Sequence, residues 1–388
     1  MGREHGLMRT SQIQQVRAEM FASQLQLDMK ISKRECDECD SHDLVYDFAM
    51  DAAADGIVTG VGHNGTAFMD YIDMSETRGQ DRFPIHVLKS AITSVAVSSS
   101  RYAAVTTLDG NFFIEKLPVP NNNGFTNWDF SRQPGVHVKI VPAETSLWSC
   151  APNPSGNVDL LVAVGSSDSP RAISRGCATI ITASGADVSA RHLSPHGLRC
   201  ADWLDETVCM LGDTRGGITL WDSRADGTSL RFNTGRAIIG LRGMGNGSEL
   251  MAVESGALKL FDVRMPTTDT LSIAKQQARR PPKSRASFYM PMPEAKMPNV
   301  AFDVLPSARL VARRDDENTV GVYSLINGQR IKTLKTEQSD VIKRLRFLED
   351  PQGTLGLWGC WGGDIEAWTF GGEDLREGEE GETWVKGA

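Results

Sequence analysis

Residues 212–224, GDTRGGITLWDSR, compress a turn, a strand and an aromatic-acid ending into thirteen positions. Asp213 and the glycines mark the turn, because glycine and short polar side chains accept the backbone angles of a chain reversal. Ile218 and Leu220 alternate with their neighbours at the period of two that belongs to a strand. Trp221-Asp222 end the strand, and Arg224 follows two positions later. Whether this order recurs decides the fold.

It does recur. An apolar strand, a polar turn, a second apolar strand, a second turn and a third strand fill 196–224, and the same order fills 90–117, 237–264, 299–325 and 341–370. Weaker copies lie at 45–74 and 146–183. The spacing is roughly the 40–50 residues of a four-stranded propeller blade. One such unit cannot cover both faces of its sheet, but units stacked around an axis cover each other. The expected fold is therefore all-β, a seven-bladed β-propeller over 41–371. A β-sandwich would not require a repeated turn followed by an aromatic-acid ending. Which strand closes the ring is left open by the pattern.

Three segments stand outside the repeats. Residues 1–40 form a helical segment and linker, in which 10–29 read as an amphipathic helix with Ser11 and Gln14 as a capping box. Ile13, Val16, Met20 and Leu27 fall on one stripe of that helix, interrupted by Ser23. Residues 266–298 form a Pro-rich and basic insertion between blades that includes RRPPKSR, and 372–388 form an acidic tail. The basic cluster has the composition of a nuclear-import address or a docking patch, and equally of a solvated loop. Phe288, Tyr289, Met290, Met292 and Met297 could line a recognition surface or anchor the insertion to the next blade.

The repeats resemble WD40 repeats, carried by Trp221-Asp222 and Phe261-Asp262, with Tyr323 and Trp368 at the matching places of weaker units. The resemblance implies that Asp213 ties its blade together by hydrogen bonds and that His196 is its partner. Two successive units end in WDSR and FDVR, so Arg224 and Arg264 should face one rim, about a blade apart. Exposed guanidinium groups offer bidentate hydrogen bonding and are enriched at interface anchors. The alternative is that each arginine pairs with its neighbouring aspartate and stiffens the rim.

The W-D-x-R ending is similar to that of substrate receptors of cullin-4 RING ubiquitin ligases, as is the order of helix before propeller. GDTRGGITLWDSR and the unit NTVGVYSLINGQRIKTL at 318–334 carry the likeness. It implies that the adaptor protein of the ligase is a partner, met by Arg224, Arg264, Asp222, Asp262, Trp221, Phe261 and the helix residues Ile13, Val16, Met20 and Leu27. It also implies an unidentified protein substrate on the opposite rim.

Other chemistry finds little purchase. Lys plus Arg number 41 against 49 Asp plus Glu, a net charge of -8 that argues against a general nucleic-acid surface. No apolar run is long enough to cross a bilayer, and residues 1–30 lack the apolar core of a signal peptide. No membrane partner is expected. Seven scattered cysteines suit reduced thiols in the cytoplasm or nucleus. Cys36 and Cys39 lack the second pair that a zinc site needs, so no metal is expected. No phosphate loop, zinc-protease motif or nucleophile elbow occurs, and His63, His192 and His196 are isolated. The chain reads as a non-enzyme without a cofactor. The alternatives are a WD40 scaffold of another complex, or a propeller enzyme with titratable groups gathered in its channel.

Overall fold

A computed structural model describes residues 2–31, 44–51, 56–63, 66–74, 82–117, 136–139, 145–155, 160–167, 175–182, 188–224, 229–254, 257–264, 284–289, 301–316, 318–336, 342–349, 355–362 and 364–370. Seven four-stranded antiparallel sheets make a seven-bladed WD40-type β-propeller, preceded by a helix. In six blades the strands follow chain order from the axis outward. Their innermost strands are Leu44–Asp51, Ile92–Val97, Thr145–Pro152, Leu198–Trp203, Ile238–Gly243 and Phe302–Leu305. Each repeated unit found in the sequence supplies the first three strands of one blade.

The seventh blade is composite. Ile342–Glu349, Leu355–Trp361 and Asp364–Phe370 supply three strands, and Leu25–Ile31 supplies the outermost. Leu25 lies opposite Phe370 and Ile31 opposite Ile365, with a bulge between Leu27 and Met29. The ring is thus closed by a strand that precedes the first blade, and pairing there covers the edge of Asp364–Phe370. Leu25, Leu27, Met29 and Ile31 alternate with Gln26, Asp28 and Lys30, which is the strand period.

The helix spans Gly2–Gln24. Ser11 therefore lies inside the helix span rather than at its start, and Leu27 belongs to the closing strand rather than to the helix. The basic insertion is corrected likewise: Ser284–Tyr289, within it, pairs with Ala257–Asp262 as the outer strand of the fifth blade.

The core is divided among the seams. Seven clusters of buried apolar side chains lie one at each junction of neighbouring blades. At the junction of the fourth and fifth blades, Ile218, Leu220 and Phe232 meet Ile238, Leu250 and Phe261. The junction of the sixth and seventh adds Ala18, Ala22 and Leu25 to Trp361 and Trp368, whose rings meet edge to face at 5.2 Å. Apolar burial of this kind is the main favourable term in folding.

Candidate interaction surfaces

The fourth blade shows how the opening stretch works. Asp213 Oδ1 accepts hydrogen bonds from the backbone N–H groups of Arg215 and Gly217, each at 2.8 Å. Gly216 has φ +88°, and a Cβ there would come within 2.6 Å of the Arg236 nitrogen, so the turn needs glycine. The other oxygen, Oδ2, accepts from Arg231 Nη2 at 2.5 Å. Asp213 therefore does tie the blade together, but its cationic partner is Arg231 of the outer strand Ser229–Asn233 rather than His196. Thr219 lies opposite Arg231, and this register brings together groups that are distant in the chain.

Trp221 and Phe261, both 2 % exposed, fill blade seams. Asp222 and Asp262 follow them at the ends of the third strands, and each holds the arginine two positions on. Arg224 bonds Asp222 through its backbone N–H at 3.0 Å, Nε at 3.1 Å and Nη2 at 3.0 Å. Arg264 makes the same three bonds to Asp262 at the same distances. The side-chain and backbone bonds from Arg224 pull the Asp222 carboxyl down to about 2. Local pairing thus holds for both arginines, yet their side chains remain 70 % and 65 % exposed. The carboxylate fixes the inner edge of each guanidinium and leaves the outer edge to solvent.

The helix reaches the same rim. Ser324, which ends the third strand of the sixth blade as Asp222 ends that of the fourth, donates to Gln15 Oε1 at 2.6 Å. Lys332 donates to the carbonyls of Ser23, at 2.7 Å, and of Leu25. Ala18 and Ala22 are fully buried against the propeller, while Ile13, Val16 and Met20 are 56 %, 53 % and 58 % exposed. The helix is anchored through its small residues, and its apolar stripe faces outward, joined by the exposed Phe21. Strand register sets Arg224, Arg264 and the helix on one rim, that of the turns after the third strands.

The channel holds a second group of charges, drawn from strands that are distant in the chain. Asp47, Asp202, Arg242, Asp303, Arg344 and Arg346 all come from innermost strands. Arg242 Nε donates to Asp303 Oδ1 at 2.7 Å, and its Nη1 lies 3.6 Å from Asp202. Arg344 and Arg346 lie 3.2 Å and 3.6 Å from Asp47 Oδ1. Each acid also accepts a backbone N–H from the next blade: Val95 on Asp47, Gly243 on Asp202 and Phe347 on Asp303. These bonds lace successive blades at the axis. Burial opposes the charge of Arg242, but Asp303 and Asp202 outweigh it and raise its pKa. For Arg346 burial and the nearby Arg344 and Arg242 prevail, pushing it down to about 10. The only signal in the sequence is an alternation of arginine with apolar residues, as in IKRLRFLE over 342–349.

The remaining candidates are dispersed. His192 stacks obliquely on Trp221 with ring centres 5.5 Å apart, and burial, then Arg231, lowers its pKa. His196 donates its backbone N–H to Ser194. Cys36, Cys39, Met290, Met292, Met297 and the tail at 372–388 lie outside the described residues, as do 279–283 of the basic cluster. Among the described residues no three His, Cys, Asp or Glu side chains gather as a metal site, and no helix is long and apolar enough to cross a membrane.

No protein-family model and no curated protein matches this chain. Its seven-bladed arrangement is consistent with a WD40 protein.

Proposed function

We propose that the chain is a non-catalytic scaffold that serves as a substrate receptor of a cullin-4 RING ubiquitin ligase, in the cytoplasm or nucleus. The propeller fold fits an interaction scaffold. The observation that carries the finer reading is the shared rim. Arg224 and Arg264 stand there with outward guanidinium edges, beside a helix anchored through Ala18 and Ala22 with Ile13, Val16 and Met20 exposed. An apolar helix stripe is the form of a helix-in-groove contact, and oriented arginines suit the polar border of such an interface. The ligase's adaptor protein is the partner that this combination would meet. Within the receptor class, the pattern resembles the fourth cullin-4-associated WD40 factor through GDTRGGITLWDSR and NTVGVYSLINGQRIKTL.

The receptor would act by holding a substrate on the opposite rim, raising the effective concentration of its lysines near the conjugating enzyme. A non-catalytic role accords with the channel acids, whose oxygens are taken by arginines and backbone amides. The test is co-purification with the adaptor. Binding is expected to fall at least tenfold in Arg224→Ala plus Arg264→Ala, and again in Met20→Glu. Capture of a stable complex that lacks any cullin would assign the scaffold to other machinery.

A further inference from the structure

The channel contains a cavity of about 30 Å³ lined by Trp148, Ser149, Arg199, Arg242, Phe302 and Arg344 among others. Three guanidinium groups border it and no aspartate or glutamate does. The carboxylates lie behind the arginines. Asp47 meets Arg344, while Asp202 and Asp303 meet Arg242. Much of their charge is already spent on backbone N–H groups, from Phe48 and Val95 on Asp47 and from Phe347 on Asp303. Among the described residues, Arg199 and Arg346 join Arg242 and Arg344 on the innermost strands, with Asp47, Asp202 and Asp303.

The Nε–H of Arg346 is buried without a hydrogen-bond acceptor, while Arg344 Nε lies 3.2 Å from Asp47 Oδ1. Burial of an unsatisfied donor is costly, and most of all for a charged group. Burial, then the nearby Arg344 and Arg242, push the Arg346 pKa down. Arg199 sits over Trp148, its Cζ 3.9 Å from the ring centre, and the indole is itself pinned by a bond from Nε1 to Ser166 at 2.8 Å. An aromatic face under a guanidinium attracts its charge and limits its freedom.

We propose that this cavity is a carboxylate-binding site that receives an acidic peptide. The group follows from the lining, because a guanidinium fork matches the two oxygens of a carboxylate in bidentate pairing. Only the head group is enclosed, so the rest of the ligand must lie along the rim, which a peptide can do and a small acid cannot. Register identifies that rim. Leu198 lies opposite Asp213 and Arg344 opposite Cys360, near the turns between second and third strands. Asp222 lies opposite Val208, at the far end of the sheet. The site therefore faces away from Arg224 and Arg264, and it stands whichever complex their rim joins.

Calorimetry on the full chain tests this with an acetylated, amidated hexapeptide centred on two glutamates and its glutamine counterpart. The acidic peptide is expected to bind at least tenfold more tightly, to weaken with salt, and to lose at least tenfold in Arg344→Gln and in Arg199→Gln. Arg224→Ala should leave it unchanged. Equal binding of the two peptides, or full binding by folded Arg344→Gln, would overturn the site. If either channel variant fails to fold, the comparison of the two peptides on the unaltered chain decides alone. Acetate binding as tightly as the peptide would overturn the assignment to a peptide.

Discussion

Arg264 keeps 65 % of its side chain in solvent while Asp262 holds it, whereas Arg242 keeps 16 % while Asp303 and Asp202 hold it. Both are arginines locked by aspartates, at the rim of a blade and at the axis of the ring. At the rim the pair lies two residues apart in the chain, so the bond orients a side chain without joining anything. At the axis the partners come from three blades, and the same chemistry fastens the ring. An ion pair in water contributes little to stability, whereas breaking a shielded one leaves an uncompensated charge. The rim pairs are placed for presentation and the axial ones for assembly.

Mutations can separate the two roles. Asp303→Ala removes the acceptor of Arg242 and of the Phe347 N–H, and should cost about 3–5 kcal/mol in urea unfolding. A cost below 1 kcal/mol would show that the axial pair fastens nothing. On the helix, Ala18→Leu forces a larger side chain into a fully buried position, and about 1–3 kcal/mol of destabilisation is expected. Ile13→Glu, on the outward stripe, should leave the unfolding midpoint where it was.

Alkaline titration sharpens the same contrast of inside with outside. Burial pushes Cys150 and Cys360 up to about 12 from an ordinary value of 9.0. Both thiols stay neutral in the fold, and the unfolded chain ionises first. Stability is therefore complete below pH 9 and declines progressively towards pH 12. Circular dichroism across that range should follow the decline, and replacing both cysteines by alanine should make it less steep, since burial also raises Cys177, Cys200 and Cys209. The five described cysteines, all buried, should react with a thiol reagent only on unfolding. The smallest effect belongs to Asp222→Asn. It should leave the unfolding midpoint unmoved and show itself only as a freed Arg224 side chain, read by its Nε–H resonance.

How much of this could be read from the chain depends on distance along it. The blades were legible because each first-to-third strand run is contiguous, and Asp213, Gly216 and Trp221 mark it locally. The endings at Arg224 and Arg264 were legible for the same reason, including the alternative that each pairs with its own aspartate. The closing strand was not. Leu25, Leu27, Met29 and Ile31 alternate as a strand should, but Leu27 lies seven residues beyond Met20 and also continues a helical stripe. Only the partner, Asp364–Phe370, resolves the ambiguity. Arg231 was missed in favour of His196 because a histidine before a strand is a local cue, and strand register is not. The channel charges escaped for that reason too. Nothing in LRCADW or IKRLRFLE says that Asp202 and Arg344 share an axis until seven blades close around it.

The closing strand also sets an order of events. Leu25 pairs with Phe370, far along the chain, so Leu25–Ile31 has no partner strand until Asp364–Phe370 has been made. At about 5–20 residues per second, that interval is roughly 20–70 s. During it Leu25–Ile31 has unpaired amides along both edges, and the helix it follows has not yet found its blade. A chain cut short before Asp364 would keep that edge open, with Leu25–Ile31 available to pair with a neighbouring molecule instead. The fastening that completes the ring is thus also the place where an unfinished copy would begin to aggregate.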